Sequence, residues 1–367
     1  MTILGLHHIT IGANDAQRTI DFYSGILGLR FIKRTVNFDD PGTYHLYFGD
    51  EKATPGSAVT FFEWPDAARG RTGIGGTHHF ALTVADRGGL LKWKRRLNDF
   101  GVRVDGIFNR TYFESIYFRD PDGLMVEIAT RGPGLAVDEP QNALGKRMIT
   151  PNEAYTSTQR DGEAIAAETW PEPVPEVTAD MRLDSGMHHI SATSSNLERT
   201  AEFLEDLLGM KRVKMTTNYE DPNMPHWVWA GDTGDPQTLG APGTLLTYFG
   251  ADPSKVRRAQ MGAGQTHHYA LAVKDDEAQA MWRDRLLSRG VSVSPIADRL
   301  YFHSIYFRDP DGHIVEIATL NPGFTADEPL EELGSSLKLP PWYEAHRPEI
   351  ARVLKPLVVP EWKSTKK

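Results

Sequence analysis

Residues 113–130 recur almost unchanged as residues 302–319, and no other feature constrains the fold as strongly. The shift is 189 residues (302 − 113), and 15 of the 18 positions are identical. Thr77-His-His-Phe-Ala-Leu82 returns at the same shift as Thr266-His-His-Tyr-Ala-Leu271. Nearer the start, Leu6-His-His-Ile-Thr10 pairs with Met187-His-His-Ile-Ser191 at a shift of 181 (187 − 6), and residues 22–41 follow it into 203–222. The eight extra residues of the second copy (189 − 181) fall mostly in a loop at 231–243. Even the ends echo each other, Asp138-Glu-Pro…Leu144-Gly145 against Asp327-Glu-Pro…Leu333-Gly334. A chain of 367 residues organised in this way consists of two homologous halves.

Each half divides again, because each contains two His-His strands. Around every one of them the same pattern recurs: a β-rich strand, an amphipathic helix, then strands broken by Gly and Pro turns. In the first module the helix is expected at 15–27, with Ile20, Phe22, Tyr23, Ile26 and Leu27 on its apolar face and Gly28 as its stop. In the second it is expected at 86–100, with Leu90, Leu91, Trp93 and Leu97 inward and Gly101 ending it. Asp-Pro-Asp-Gly at 120–123 and 309–312 is a turn into a strand containing Val-Glu-Ile-Ala. The expected fold class is α+β: tandem βαβββ modules, four of them forming two homologous domains. These are placed at 1–167 (modules about 1–70 and 71–140) and 186–367 (modules about 186–260 and 261–330), each with a helical tail. Between them lies a Pro- and Glu-rich linker at 168–185. The 342–355 tail is read as a helix that packs, through Tyr343, His346, Ile350 and Val353, on a domain or on the partner in a homo-oligomer.

Composition narrows the chemistry. Lys and Arg total 40 against 49 Asp and Glu, a net charge of −9, which argues against a nucleic-acid binder dependent on basic surface. No run approaches the roughly 18 apolar residues of a membrane span. The first residues lack the basic and apolar regions of a signal peptide, so a cytoplasmic location is expected. There is no cysteine. Disulfides, thiolate zinc, iron–sulfur clusters and a cysteine nucleophile are therefore excluded, and any metal must be held by nitrogen and oxygen. Phosphate-binding Gly-rich loops and the Gly-x-Ser-x-Gly elbow are absent as well.

The histidines carry the strongest chemical signal. Ten of the thirteen fall at matched positions: 7/188, 8/189, 45/226, 78/267 and 79/268. Adjacent strand residues point to opposite faces, so only one of each His-His pair is expected to face a given cavity, and the second has the smaller neighbours. Glu127 and its copy Glu316 lie inside apolar strands, where an unpartnered carboxylate is costly and a divalent cation would satisfy it. Two imidazoles and one carboxylate form the ligand set of non-heme Fe(II) oxygenases, and also one that zinc accepts. Four such histidines and two glutamates suffice for two triads. Arg110/Arg299 and Tyr117/Tyr306 read either as partners of these sites or as surface-paired arginines and core aromatics. His45 and His226 either line a pocket or are ordinary strand residues.

Paired βαβββ modules, His-His-Ile-Thr and His-His-Tyr-Ala strands, and Arg-Asp-Pro-Asp-Gly-x-x-Val-Glu-Ile resemble the vicinal oxygen chelate superfamily, the glyoxalase/bleomycin-resistance/dioxygenase proteins. Within it, Lys33-Arg-Thr-Val-Asn-Phe-Asp-Asp-Pro, Tyr44-His-Leu-Tyr-Phe-Gly-Asp and the 327–341 tail are similar to ring-cleaving dioxygenases acting on hydroquinones. The resemblance implies an Fe(II) centre, with Mn(II) or Zn(II) as other occupants, and a small aromatic diol and O2 as substrates. It places the metal on His8, His268 and Glu316, with Arg299, Tyr306, His267, His7 and Thr10 as catalytic neighbours. By pseudo-symmetry a second set is His189, His79 and Glu127 with Arg110, Tyr117 and Ser191, and His45 and His226 fall in the substrate pockets. Catechol-cleaving members imply instead the wiring His189, His268 and Glu316. Two rival activities belong to the same superfamily. A glyoxalase-type isomerase would add an acid in the last strand of a module, where this chain has Thr60 and Thr247. A non-enzymatic protein binding an aromatic toxin would need no triad.

Overall fold

The computed structural model describes residues 1–183 and 185–362. Four modules are present, each a strand, a helix and three further strands. The first comprises β1 (Gly5–Ala13), β2 (Arg30–Asn37), β3 (Asp40–Gly49) and β4 (Ala58–Glu63); the second β5 (Gly76–Val84), β6 (Asp105–Asn109), β7 (Glu114–Arg119) and β8 (Met125–Thr130). In the third are β9 (Met187–Ser194), β10 (Lys211–Thr217), β11 (Pro225–Ala230) and β12 (Leu245–Gly250). The fourth has β13 (Thr266–Val273), β14 (Ala297–Asp298), β15 (Phe302–Arg308) and β16 (Ile314–Pro322). This is the α+β, four-module architecture expected from the repeats.

Local signals fix the helices. Asp15, Asp86, Asn196 and Asp275 each accept a bond from the backbone N–H three residues on, capping the four module helices. Each helix ends beside a glycine, Gly28, Gly101, Gly209 or Gly290, at φ between +67° and +77°, a conformation open to a residue without Cβ. The second helix, Arg87–Asp99, buries Leu90, Trp93 and Leu97 as expected, with Leu91 half-buried. The first differs from its expectation. It is α-helical over Ala16–Ile20 and then widens into a π-helix, Asp21–Ile26, in which the Leu27 N–H donates to the Phe22 carbonyl. The third module repeats this at Glu202–Leu207. Over six residues the apolar spacing of the two helix types is too similar for sequence to separate them.

The sheets cross the two sequence halves. One sheet runs β14-β15-β16-β13-β1-β4-β3-β2 and the other β10-β11-β12-β9-β5-β8-β7-β6, so the first module shares a sheet with the fourth and the second with the third. Within a half the connection is made by the Asp-Pro-Asp-Gly turns. Asp120 accepts from the Tyr23 hydroxyl at 3.2 Å and Asp122 from the Asn14 N–H at 3.1 Å, joining the first two modules. Asp309 accepts from the Tyr248 hydroxyl at 3.1 Å and Asp311 from the Ser195 N–H at 2.8 Å, joining the last two. The Arg119 and Arg308 guanidinium groups close these turns by donating to the Gly123 and Gly312 carbonyls.

Of the expected linker, residues 168–183 pack against the body, with Val174, Met181 and Leu183 buried and the Trp93 indole donating to the Met181 carbonyl. Of the expected tail helix, Arg347–Val353 is helical and buries Ile350, whereas Val353 faces solvent at 59% exposure because the helix presents only one face to β3. No helix of the described residues is long and apolar enough to cross a membrane.

Candidate metal centres

Sheet pairing across the halves assembles one cluster on each sheet. In the first, β1 supplies His8, β13 supplies His268 and β16 supplies Glu316. His8 Nε2 and His268 Nε2 lie 3.3 and 2.8 Å from Glu316 Oε2, and 3.2 Å from each other. In the second, His79 (β5) and His189 (β9) place Nε2 at 2.9 and 3.2 Å from Glu127 Oε2 and 3.1 Å from each other. All six side chains are buried. His189 thus stands in the second cluster, and the catechol-type combination of His189 with His268 and Glu316 is not assembled, because β9 and β13 lie in different sheets.

A β-bulge accompanies each histidine strand. The β1–β13 ladder steps from Leu6↔Leu271 to His8↔Ala270 and from Thr10↔His268 to Ile11↔Thr266, leaving His7 and His267 as the extra residues. In the other sheet His78 and His188 are the extras. A bulge re-aims the side chain it inserts. All four first histidines consequently turn to their neighbours, with Nδ1–Nδ1 distances of 2.8, 2.8, 2.9 and 2.7 Å for the pairs starting at His7, His78, His188 and His267. The second histidine of each pair supplies the donor atom, as expected, while the bulge brings the first behind it, onto its Nδ1.

The donor set fits a divalent cation. Oε2 of both Glu127 and Glu316 is buried without a hydrogen bond of good geometry. The imidazole bonds also fix tautomers in a consistent way. His8 donates from Nδ1 to His7 Nδ1, and His7 donates from Nε2 to the Thr319 carbonyl at 3.1 Å, which leaves the His8 Nε2 lone pair facing Glu316. Such a partner on the far nitrogen is what orients a ligating imidazole. Donor atoms at about 2.1 Å from one ion on neighbouring octahedral positions stand about 3.0 Å apart, close to the spacings found.

Electrostatics agree with this arrangement. Burial opposes ionisation of Glu316, but His8 and His268 outweigh it and hold the carboxyl well below its usual range. Burial acts on Glu127 likewise and is outweighed by His189 and His79. Burial, reinforced by the adjacent ligand histidine, lowers His7, His78, His188 and His267 to about 3 each. These imidazoles are neutral at physiological pH and available as acceptors.

Around each carboxylate the arginine and tyrosine take up adjoining positions. Arg299 Nε donates to the Tyr306 hydroxyl at 3.1 Å, and Arg110 Nε to the Tyr117 hydroxyl at 3.3 Å. Tyr117 then donates to Glu127 Oε1 at 2.9 Å, whereas Glu316 Oε1 accepts from Ser304. Burial raises both tyrosines above their ordinary range. Thr10 stands opposite His268 across the sheet but turns its hydroxyl to Thr60, at 2.8 Å, as Ser191 bonds Thr247 at 2.7 Å. Those threonines in turn hold His45 Nε2 (3.0 Å) and His226 Nε2 (2.9 Å), so Thr10 and Ser191 act through the strand behind the site.

A cavity of about 510 Å³ opens on the second cluster, lined by His79, His189, Arg110, Tyr117, His226 and Val228 among others. Sequence reading missed part of this wall. Arg160 reaches in from the first tail and pairs with Glu220, which also holds Arg110 at 2.9 Å. These groups come from segments far apart in the chain, and no local signal marks them. Tyr47 was missed too, although it lies two residues from His45 on β3 and so on the same face.

Comparison with known proteins accords with this architecture. The sequence model described as Glyoxalase/Bleomycin resistance protein/Dioxygenase superfamily matches residues 5–128 and 186–317. The chain is 38% identical over 362 residues to the provisionally named ring-cleaving dioxygenase MhqO of Bacillus subtilis, covering 98% of each. It is 30% identical to the chlorohydroquinone/hydroquinone 1,2-dioxygenase of Sphingobium indicum, covering 97% of each. A crystal structure of a provisionally assigned dioxygenase from Bacillus subtilis superposes with a TM-score of 0.75 at 35% identity, over 98% of this chain and 99% of that one. With its repeated modules, crossed sheets and whole-length similarity, the chain belongs to the glyoxalase/bleomycin resistance protein/dioxygenase superfamily.

Proposed function

We propose that the protein is a metal-dependent dioxygenase that opens the ring of an aromatic diol, of the hydroquinone type in preference to catechol. The observation that carries the reading is the pair of buried triads, each a carboxylate oxygen without a hydrogen bond facing two imidazole nitrogens within 3.3 Å. Similarity along the whole chain to a hydroquinone dioxygenase supports the choice of substrate class. His8, His268 and Glu316 would hold one Fe(II) and His79, His189 and Glu127 a second, with residues 1–167 and 186–367 as the two units of the duplication. When bound, Fe(II) would supply open positions for the diol and O2 and the redox chemistry by which both oxygen atoms enter the opened product.

The protein's own groups then have definite tasks. Arg110 and Arg299 stabilise negative charge on a substrate oxygen, since burial in the low-dielectric wall strengthens their field. Tyr117 and Tyr306, kept protonated by burial, donate hydrogen bonds to the same oxygen or hold the carboxylate ligand. His7, His188, His78 and His267 fix the ligand imidazoles through Nδ1. A glyoxalase-type isomerase is less well supported. Thr60 and Thr247 occupy the strand position of the additional acid, and each already bonds two neighbours.

Anaerobic reconstitution with Fe(II), Mn(II) and Zn(II) in parallel, followed by O2 uptake with hydroquinones and catechols, tests the reading. Uptake matching ring loss is expected with Fe(II). Bound metal without uptake on any diol would overturn it.

A further inference from the structure

Of the four histidines in the two clusters, His268 alone is followed by a residue that can give up an electron. Tyr269 comes next on β13, where His8, His79 and His189 are followed by Ile9, Phe80 and Ile190. Tyr269 is buried in the core, and its hydroxyl lies 2.9 Å from that of Tyr248 on β12. Tyr248 donates to Asp309 Oδ2 at 3.1 Å, so an acceptor for its proton is in place. Next in line, the Trp229 ring centre stands 6.1 Å from that of Tyr248, and the Trp227 ring centre 6.1 Å from that of Trp229. At this spacing neighbouring rings are in contact. Trp227 is the outermost of the four, 8% exposed, with the Arg212 guanidinium over its ring at 5.0 Å. The equivalent positions of the first half are Phe80 (269 − 189), Phe61 (248 − 187, by the registers of β4 on β1 and β12 on β9), Phe48 (229 − 181) and Leu46 (227 − 181). All four are buried as their counterparts are, and none can be oxidised. Core packing therefore does not require the hydroxyls and indoles of the second half. Burying them has a cost, visible at Trp227 Nε1, which has no hydrogen bond.

We propose that Tyr269, Tyr248, Trp229 and Trp227 form a relay that exports an oxidising equivalent from the centre at His8, His268 and Glu316 when a peroxide reacts there without a diol. The inference rests on the iron-binding part of the reading above. Reduction of H2O2 to two waters takes two electrons and two protons. One electron comes from Fe(II), which becomes Fe(III), and the other from Tyr269. Each ring in turn refills the one before it, until the missing electron resides on Trp227. The hydroxyl proton of an oxidised tyrosine shifts to Asp309, which is ionised above about 6, and returns when the ring is refilled. Altogether one H2O2, one Fe(II), one indole and one proton from solvent give two waters, Fe(III) and a neutral indolyl radical. A donor of one electron and one proton, such as ascorbate, restores Trp227 at the surface. The ligand imidazoles are thereby spared. The other centre, whose histidines precede Phe80 and Ile190, has no such exit along its ligand strands.

The experiment loads the protein with Fe(II) anaerobically, adds H2O2 without a diol, and maps oxidised tryptophan by peptide mass. Iron content is measured on each sample. Trp342, 50% exposed, reports oxidant that escapes into solution. Trp227 is expected to be oxidised several-fold more than Trp342, and ascorbate to suppress the difference. Glu316→Gln should lose the Trp227 product, and Glu127→Gln should keep it. Tyr248→Phe combined with Tyr269→Phe installs the residues of the first half. That variant should keep its iron, bring Trp227 down to the level of Trp342 and move oxidation onto His8 and His268. Equal oxidation of Trp227 and Trp342 in the iron-loaded parent would overturn the relay. So would a Trp227 product that survives the double phenylalanine variant, or one lost with Glu127 and not with Glu316. A parent that takes up no iron would overturn the metal reading and the relay with it, an outcome the iron measurement separates from failure of the relay alone.

Discussion

Set side by side, the two clusters agree most where they would touch a metal and diverge with distance from it. The three donor atoms are spaced alike, and the bulged histidines behind them are alike to within 0.2 Å. One bond further out the partner of the carboxylate already differs, Ser304 at the first cluster and Tyr117 at the second. At the rim, Arg110 is held by Glu220 at 2.9 Å, whereas Arg299 pairs with the exposed Asp39 at 4.0 Å. Ligand geometry tolerates little change, since every donor atom is fixed by the others; a pocket wall can exchange one apolar shape for another at small cost. The duplication therefore repeats one donor geometry among differing neighbours.

The largest effect should come from removing a ligand carboxylate. Glu316→Gln and Glu127→Gln are each expected to abolish one of two metal equivalents per chain, and the double variant both. Elemental analysis after dialysis of the reconstituted protein counts them. If one of the single variants retained the full metal content of the parent, the equivalence of the two centres would be broken at its foundation.

Next in size are the buried lysines that anchor the tails. Lys33 pairs with Asp327 and with Glu328 at 2.7 Å, and Lys214 with Asp138 at 2.7 Å and Glu139 at 2.5 Å; both lysines are fully buried. Replacing either by Met strands a buried carboxylate, a change that costs about 3–5 kcal/mol. Urea unfolding should show losses of this size at both positions. A large loss at one alone would mean that the two tails, which lie across different sheets, do not carry equal shares of stability.

These lysines also show what sequence could and could not reveal. The echo of Asp138-Glu-Pro in Asp327-Glu-Pro was legible, but its partner in the opposite half was not, because nothing local says which modules share a sheet. The ligand residues were legible for the opposite reason: paired histidines and a glutamate within an apolar strand are costly without a cation, and each stood out in its own short segment. The bulges escaped because a strand pattern presumes regular alternation. Tyr47 escaped because an aromatic residue on a buried strand looks like core until its hydroxyl is seen on His45.

The smallest effect, and the most pointed comparison, concerns the Asp-Pro-Asp-Gly turns. Asp120 and Asp309 occupy equivalent positions, and burial raises each from 3.8 to about 6 despite the backbone and tyrosine bonds that pull the other way. Their hydroxyl donors come from different elements. Asp120 takes Tyr23 from a helix, while Asp309 takes Tyr248 from β12, which is itself bonded by Tyr269 at 2.9 Å. A carboxyl raised on folding contributes stability that is fully present below its ordinary value and lost as pH rises through about 6. Asparagine keeps the acceptor oxygen and does not titrate. Asp120→Asn and Asp309→Asn should therefore gain on the parent by about 1–3 kcal/mol between pH 4 and 7.5. Thermal unfolding at the two pH values measures this. Equal gains would mean that a helix tyrosine and a strand tyrosine solve the same desolvation problem equally well. A gain at Asp120 alone would mean that the Tyr269–Tyr248 chain already stabilises the charged carboxylate of Asp309.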